Sequence, residues 1–378
     1  MEDWILNIVL TFIIAFSLTG MLIPQILIIA FRKKLFDTHD ARKIHEGIVP
    51  RLGGTAFVPA IICSVTFIIG LKSHLYPEAI LSLLNADFMP LMFLICSLML
   101  LFLTGMADDL IGVKYRGKFL FQILAAILTV SSGIYISDLC GLLGLNFYPD
   151  WAAWLLTGLI IVYCINAINL IDGIDGLAAG LVALALLFYA IILCLAGEYI
   201  YSLLAWAGLG SILPFLYYNI FGSAKRHSKI FMGDTGSLTL GMLTVFLALI
   251  VCRLNQTEIT TSLRLCNPII LGFAPLIIPC FDLARVFLHR LKRRRNPFLP
   301  DRTHIHHKLL DLGLSSSGAL AIILTLSIIY TCSNLWLSIY LNINILILID
   351  VAVWIAGHIA LTSAIRRRET SIGEKIYD

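Results

Sequence analysis

The sequence predicts an all-α polytopic membrane protein of about 11 transmembrane helices, with the N-terminus outside and the C-terminus cytoplasmic. Three observations predict it. Of 378 residues, 59% are hydrophobic and 13% charged, with a mean hydropathy of +0.93, whereas soluble domains are roughly one quarter charged. Apolar stretches close to the roughly 20 residues that cross a bilayer recur along the whole chain. Lys and Arg concentrate in alternate connections between them, which sets the orientation.

The predicted spans are 4–31, 52–71, 88–106, 119–136, 151–171, 177–196, 199–221, 237–252, 265–288, 318–341 and 343–365. The first is longer than a cleaved signal peptide and has no basic segment before it, so it is read as a helix. The eighth is short. The ninth carries Asp282 and Arg285, spaced as an i,i+3 pair near one end. Connections 32–51, 107–118, 166–176, 222–236 and 290–317, with the tail 366–378, are predicted to be cytoplasmic. Twenty-three Lys and Arg fall on that side, against three (Lys72, Arg253 and Arg264) on the other. An odd number of spans agrees with this.

The chain reads as a single integral-membrane domain over 1–378, with no internal repeat. Its net charge of +4 is gathered on one face, where anionic lipid and phosphates would meet it. No basic segment is interleaved with aromatics outside the bilayer zone, which excludes nucleic acid as a partner. The nine cysteines are scattered without a CxxC and read as small packing residues rather than as a disulfide framework.

Chemistry is concentrated in five patches of the predicted cytoplasmic face. Asp108-Asp109 is followed by Lys114, Arg116 and Lys118, which suits a metal and a phosphate held together, although a capped turn would look the same. Asn166 to Leu177 runs from an apolar span into Asn169, Asp172 and Asp175 without any Lys or Arg. An acidic run of that kind calls for a cation from outside the chain, and its glycines allow close approach. Phe231-Met232-Gly233-Asp234-Thr235-Gly236-Ser237 opens a span, and helix N-termini attract anions. Arg302, His304, His306, His307 and Lys308 favour phosphate over zinc, because nothing completes a tetrahedral set. Lys43, His45 and Pro50-Arg51-Leu52-Gly53-Gly54 offer cations for a phosphate, or a membrane anchor.

Together these motifs resemble the polyprenyl-phosphate N-acetylhexosamine-1-phosphate transferases. That family begins bacterial O-antigen (lipopolysaccharide), enterobacterial common antigen and teichoic acid synthesis, and includes the peptidoglycan translocase. The resemblance spans 37–314, and the PRLGG and HIHH forms look like the branch that uses UDP-GlcNAc or a close relative. It implies transfer of a sugar 1-phosphate from a UDP-N-acetylhexosamine to undecaprenyl phosphate, with release of UMP. The expected cofactor is Mg²⁺, with Mn²⁺ as a substitute, and the expected setting is the bacterial cytoplasmic (inner) membrane with the active site facing the cytoplasm. A homodimer is compatible with it.

By position, the resemblance makes Asp234 the principal metal ligand, with Asp109 and Asp172 assisting, and makes Asp108, Asp109 and Asp172 catalytic. Substrate binding falls to Lys43, His45, Lys118, Asn169, Asp175, Asn219, Phe231, Gly233, Arg302, His304, His306 and His307. About five more residues separate Asn219 from Asp234 than in the compact family pattern.

Two rival readings are weaker. A secondary transporter would place its ionisable residues near the bilayer midplane between repeats. A CDP-alcohol phosphatidyltransferase would carry Ala-Arg after its Asp-Gly, but here Ile174-Asp175 follows Asp172-Gly173.

Overall fold

A segment with no water to bond must satisfy its backbone internally, so the long apolar runs form helices. The computed structural model describes residues 2–35, 49–254, 266–294 and 303–372. Its helices are α1 (Glu2–Lys33), α2 (Phe57–Leu75), α3 (Pro77–Ile111), α4 (Tyr115–Ser131), α5 (Asp150–Ile171), α6 (Leu177–Ala196) and α7 (Tyr199–Phe221). They continue with α8 (Gly233–Arg253), α9 (Pro268–Phe273), α10 (Ile277–Lys292), α11 (Ile305–Asp311), α12 (Ser316–Leu337) and α13 (Ile343–Ile372). Among the described residues ten helices are long and apolar enough to cross a membrane. The chain is an all-helical, multi-pass membrane protein.

Each of the eleven predicted spans has a helix, with differences at the ends. The predicted fourth span runs to residue 136, but α4 stops at Ser131 after 17 residues. Gly133, at φ +89°, turns the chain there. The predicted ninth span is broken into α9, a 3₁₀ turn (Ala274–Leu276) and α10. Pro275 lies in the turn, where its missing N–H and its ring interrupt the helical ladder. The eighth begins earlier than predicted, at Gly233, so α8 has 21 residues.

α8 is the axis of the bundle. Residues 235–251 are all buried, and a helix apolar on every side belongs inside. It packs against α3, α5, α6 and α9, whereas α1, α12 and α13 leave most of their surface exposed, as helices facing lipid do.

Small residues let α8 be approached closely. A Cβ on Gly105 of α3 would fall 2.4 Å from Thr235 Cα, and one on Gly54 would fall 2.1 Å from the Gly236 nitrogen. The segment before α2 is tied to the same place. Gly53 N–H donates to Phe231 O at 2.9 Å, Gly54 N–H to Met232 O at 2.8 Å, and Phe231 N–H to Pro50 O at 2.8 Å. Two motifs distant in sequence thus share one short backbone ladder beside the start of α8.

Candidate active site

α3 continues past the predicted end of its span to Ile111, so Asp108 and Asp109 stand on its last turn rather than in a loop. The first turn of α8 faces them. Its N–H groups have no partner within the helix, and Asp109 supplies one from across the interface. Asp109 Oδ1 accepts from Asp234 N–H at 2.8 Å, while Oδ2 accepts from Thr235 N–H at 2.9 Å and from Thr235 Oγ1 at 2.5 Å. A negative charge at this position also suits the helix dipole. Gly233 makes the approach possible, because a Cβ there would lie 2.2 Å from Arg51 O and 2.6 Å from Asp109 Oδ2.

Held in this way, Asp234 turns its carboxylate outward. Oδ1 accepts from Asn169 Nδ2 at 3.1 Å, and Oδ2 meets Lys118 Nζ at 2.5 Å. Lys118 also donates to Asp108 Oδ2 at 2.9 Å. Oxygens of Asp108, Asp109 and Asp234 lie within 4.8 Å of one another. Three carboxylates with one bridging ammonium leave uncompensated charge, the environment that a hard divalent cation with oxygen ligands favours.

Asp108, Asp109, Asn169 and Asp234 line an acidic cavity of about 1040 Å³, together with Arg51, Asp172, Asp175 and Phe231. A second cavity of about 890 Å³ adjoins it, and Asn169 and Gly173 line both. α4, α5 and α10 wall this second space with Phe119, Leu159, Tyr163 and Phe287. Its polar lining includes Lys118, Arg290 and the histidines of α11 and its N-cap. A charged cleft thus opens beside an apolar groove.

The histidine segment is fixed from α10. Asp282 Oδ1 accepts from Arg285 Nη2 at 2.9 Å and from Ile305 N–H at 3.1 Å, and its Oδ2 lies 2.7 Å from His304 Nδ1. Arg285 also donates to Thr303 O. From the other side, Lys308 donates to Thr362 of α13 at 2.9 Å, so its ammonium serves the scaffold.

The family description "Glycosyl transferase family 4" matches residues 91–252, which hold both the Asp108-Asp109 pair and Asp234. A probable undecaprenyl-phosphate N-acetylglucosaminyl 1-phosphate transferase of Bacillus subtilis (strain 168) is 30% identical over 365 residues, 94% of each chain. The chain belongs to the polyprenyl-phosphate N-acetylhexosamine-1-phosphate transferase family. Undecaprenyl-phosphate alpha-N-acetylglucosaminyl 1-phosphate transferases of Salmonella typhi and Yersinia pestis are each 28% identical. They cover 78% and 83% of this chain, and 74% and 79% of their own lengths.

The residues that the family resemblance singled out are sorted by the structure. Asp108, Asp109, Asn169, Asp172, Asp175, Phe231, Gly233 and Asp234 all line the acidic cleft, and Lys118 bonds into it. Asp172 stands outside the close carboxylate trio. Asn219 reaches the same cavity, but its amide is committed to the backbone. It accepts from Gly176 N–H at 2.6 Å and donates to Ile230 O at 2.9 Å, bracing the acidic loop against the approach to α8. His304, His306 and His307 line the apolar groove. Lys43, His45 and Arg302 lie outside the described residues.

Two contributors to this family site, Lys229 and Asp282, escaped sequence reasoning, and a third, Arg51, is legible there only as a cation for a phosphate or a membrane anchor. Arg51 lines the cleft, where its charge opposes the carboxylates and the desolvation that raise the pKa of Asp172. Lys229, from the lengthened segment, pairs with Asp175 at 2.5 Å and lies 5.9 Å from the Phe231 ring centre. Asp282 read as half of a local pair, although two of its partners lie more than twenty residues away. For Lys229 the basic character of 222–229 is the usable signal.

Two shifts follow from enclosure. His306 is buried with both ring nitrogens lacking a partner among the described residues. Burial first, then His307 and His304, push its pKa down to about 3, so it is neutral at pH 7. Asp172 opens onto the cleft by accessible surface, yet the protein surrounds its carboxylate closely enough for desolvation to dominate. With Asp234 and Asp175 nearby, its pKa rises to about 7.

A carboxyl whose folded pKa lies above its unfolded value binds more protons in the folded state. Stability is therefore lost as pH rises from about 4 to about 7, with the full cost present above 7. Asp172→Asn is expected to raise the thermal midpoint at pH 8 without divalent cation, and to leave it unchanged at pH 4. Thermal unfolding in detergent at the two pH values measures this.

Proposed function

We propose that this protein transfers N-acetylhexosamine-1-phosphate, most simply GlcNAc-1-phosphate, from a UDP-sugar to undecaprenyl phosphate and releases UMP. The reaction takes place at the inner leaflet of the bacterial cytoplasmic membrane, with the N-terminus outside and the active site and C-terminus in the cytoplasm. It begins a cell-envelope polysaccharide. The observation that carries this reading is the pairing of an acidic, cation-seeking cleft with an apolar groove at Asn169 and Gly173. One cavity suits a metal-bound nucleotide diphosphate and the other a polyprenyl chain. The relatives' names supply the substrate class.

The carboxylate trio fits Mg²⁺, held by Asp234 with Asp108 and Asp109 adjoining it. When bound, the ion offsets the charge of the diphosphate and of departing UMP. The chain's own groups do the rest. Phe231 offers a face for the uracil ring, with Asp175 and Lys229 beside it. Lys118 stands between the trio and the groove, where its charge draws the acceptor phosphate towards the donor.

A phosphomonoester has a second pKa near 6, so the acceptor is mostly dianionic at pH 7 and needs no base. An acceptor oxygen attacks the β-phosphorus in line, a new P–O–P bridge forms, and the bond to the UMP oxygen breaks. One anhydride replaces another, without ATP. Asp108, tied to Lys118 and to Val113 N–H at 2.6 Å, orients charge in this scheme rather than removing a proton.

Purified protein given UDP-GlcNAc, polyprenyl phosphate and Mg²⁺ is expected to release UMP. A chelator should abolish release, and Mg²⁺ or Mn²⁺ should restore it. Silence with every UDP-N-acetylhexosamine would sink the reading. Inversion at the transferred phosphorus is expected for direct attack, and retention would instead indicate a covalent aspartyl intermediate.

A further inference from the structure

Asp282 is 1% exposed and uses both carboxylate oxygens, one on Arg285 and Ile305 N–H, the other on His304 Nδ1 at 2.7 Å. A carboxylate bonded to a guanidinium accepts and does not donate, so Nδ1 of His304 must carry the proton in this contact. Nε2 is then the only ring nitrogen through which His304 can meet a ligand. The His304 ring lines the apolar groove and stacks on His306 with centroids 5.7 Å apart and planes at 11°. Lys118 and Arg290 line the same groove, so a phosphate there meets cations as well as the imidazole.

We propose that Asp282 is a positioning residue for the transfer: it fixes the His304 proton on Nδ1 and aims Nε2 at a phosphate group in the groove. When Nε2 takes a proton, the imidazolium lies between the buried carboxylate and the phosphate oxyanion, donating Nε2–H to the latter. Where such a partner backs a metal-bound histidine it sets ring orientation and tautomer, and its loss typically costs 10–100-fold in activity; a loss of the same order is expected here. The role in turnover rests on the transferase reading, whereas the tautomer and the phosphate contact do not.

Full-length protein in nanodiscs, labelled with ¹⁵N-histidine, tests the proposal, with the His304 resonance assigned by its loss in His304→Gln. The wild type is expected to show the Nδ1-protonated signature, and Asp282→Asn to lose it. Farnesyl phosphate should shift the resonance if the groove phosphate belongs to the lipid, and UMP if it belongs to the donor. An Nε2-protonated wild-type ring, or no response to either probe, overturns the proposal.

In turnover, Asp282→Asn and His304→Gln are each expected to lower kcat/KM about 10–100-fold, and the double variant to be no worse than the poorer single. Losses that multiply would make the two residues independent and overturn the coupling. Asp282→Glu keeps a carboxylate and is expected to retain the Nδ1 proton and most of the turnover, an outcome that a merely structural role does not require. A wild type that transfers no sugar phosphate yet shows the Nδ1 signature and the phosphate shift would refute the transferase reading alone.

Discussion

Asp234→Asn is expected to lower UMP release about 10³-fold while leaving the protein folded, comparable to removing a key electrostatic group from other active sites. The substitution preserves shape, and Asn can still accept from Asn169. What it removes is the charge that faces Lys118 at 2.5 Å and completes the trio with Asp108 and Asp109. The α8 backbone is anchored by Asp109 rather than by the Asp234 side chain, so the thermal midpoint should move little. Residual turnover above one tenth of wild type would remove Asp234 from the centre of the mechanism.

Asp109→Ala is expected to fail differently. It leaves the Asp234 and Thr235 N–H groups and the Thr235 hydroxyl without their acceptor. Bonds to a charged acceptor contribute about 1.5–3 kcal/mol each, though water entering the cleft recovers part of that. A net loss on the order of 3 kcal/mol is expected, read as a lower thermal midpoint, together with near-complete loss of UMP release as Asp234 drifts. Full activity would exclude the anchoring role. Lost activity with an unchanged midpoint would make Asp109 a metal ligand first and an anchor second.

Hydropathy made the spans legible because a bilayer leaves the backbone no alternative to a helix, and the five polar patches stood out against that background. Helix ends were less legible. Nothing in Met106-Ala107-Asp108-Asp109 announces that α3 runs on to Ile111. The reason lies 125 residues away, where the α8 N-terminus needs an acceptor. The same limit hid Asp282: a single sequence displays the Arg285 neighbour but not the His304 contact 22 residues on. Asn219 shows the converse, since its resemblance-based role in binding sits beside an amide engaged at both ends by backbone. Residue type marks where polarity is spent, and only the packed chain shows on what.

The 17 residues of α4 span about 25 Å at 1.5 Å per residue, short of a hydrocarbon layer about 30 Å thick. α4 is also a wall of the apolar groove. Lipid tails resting against that wall would shorten or tilt to match it. α8, enclosed by protein on every side, is shielded from this deformation. Thicker host membranes should then penalise the capture of long-chain acceptors more than the chemistry that follows.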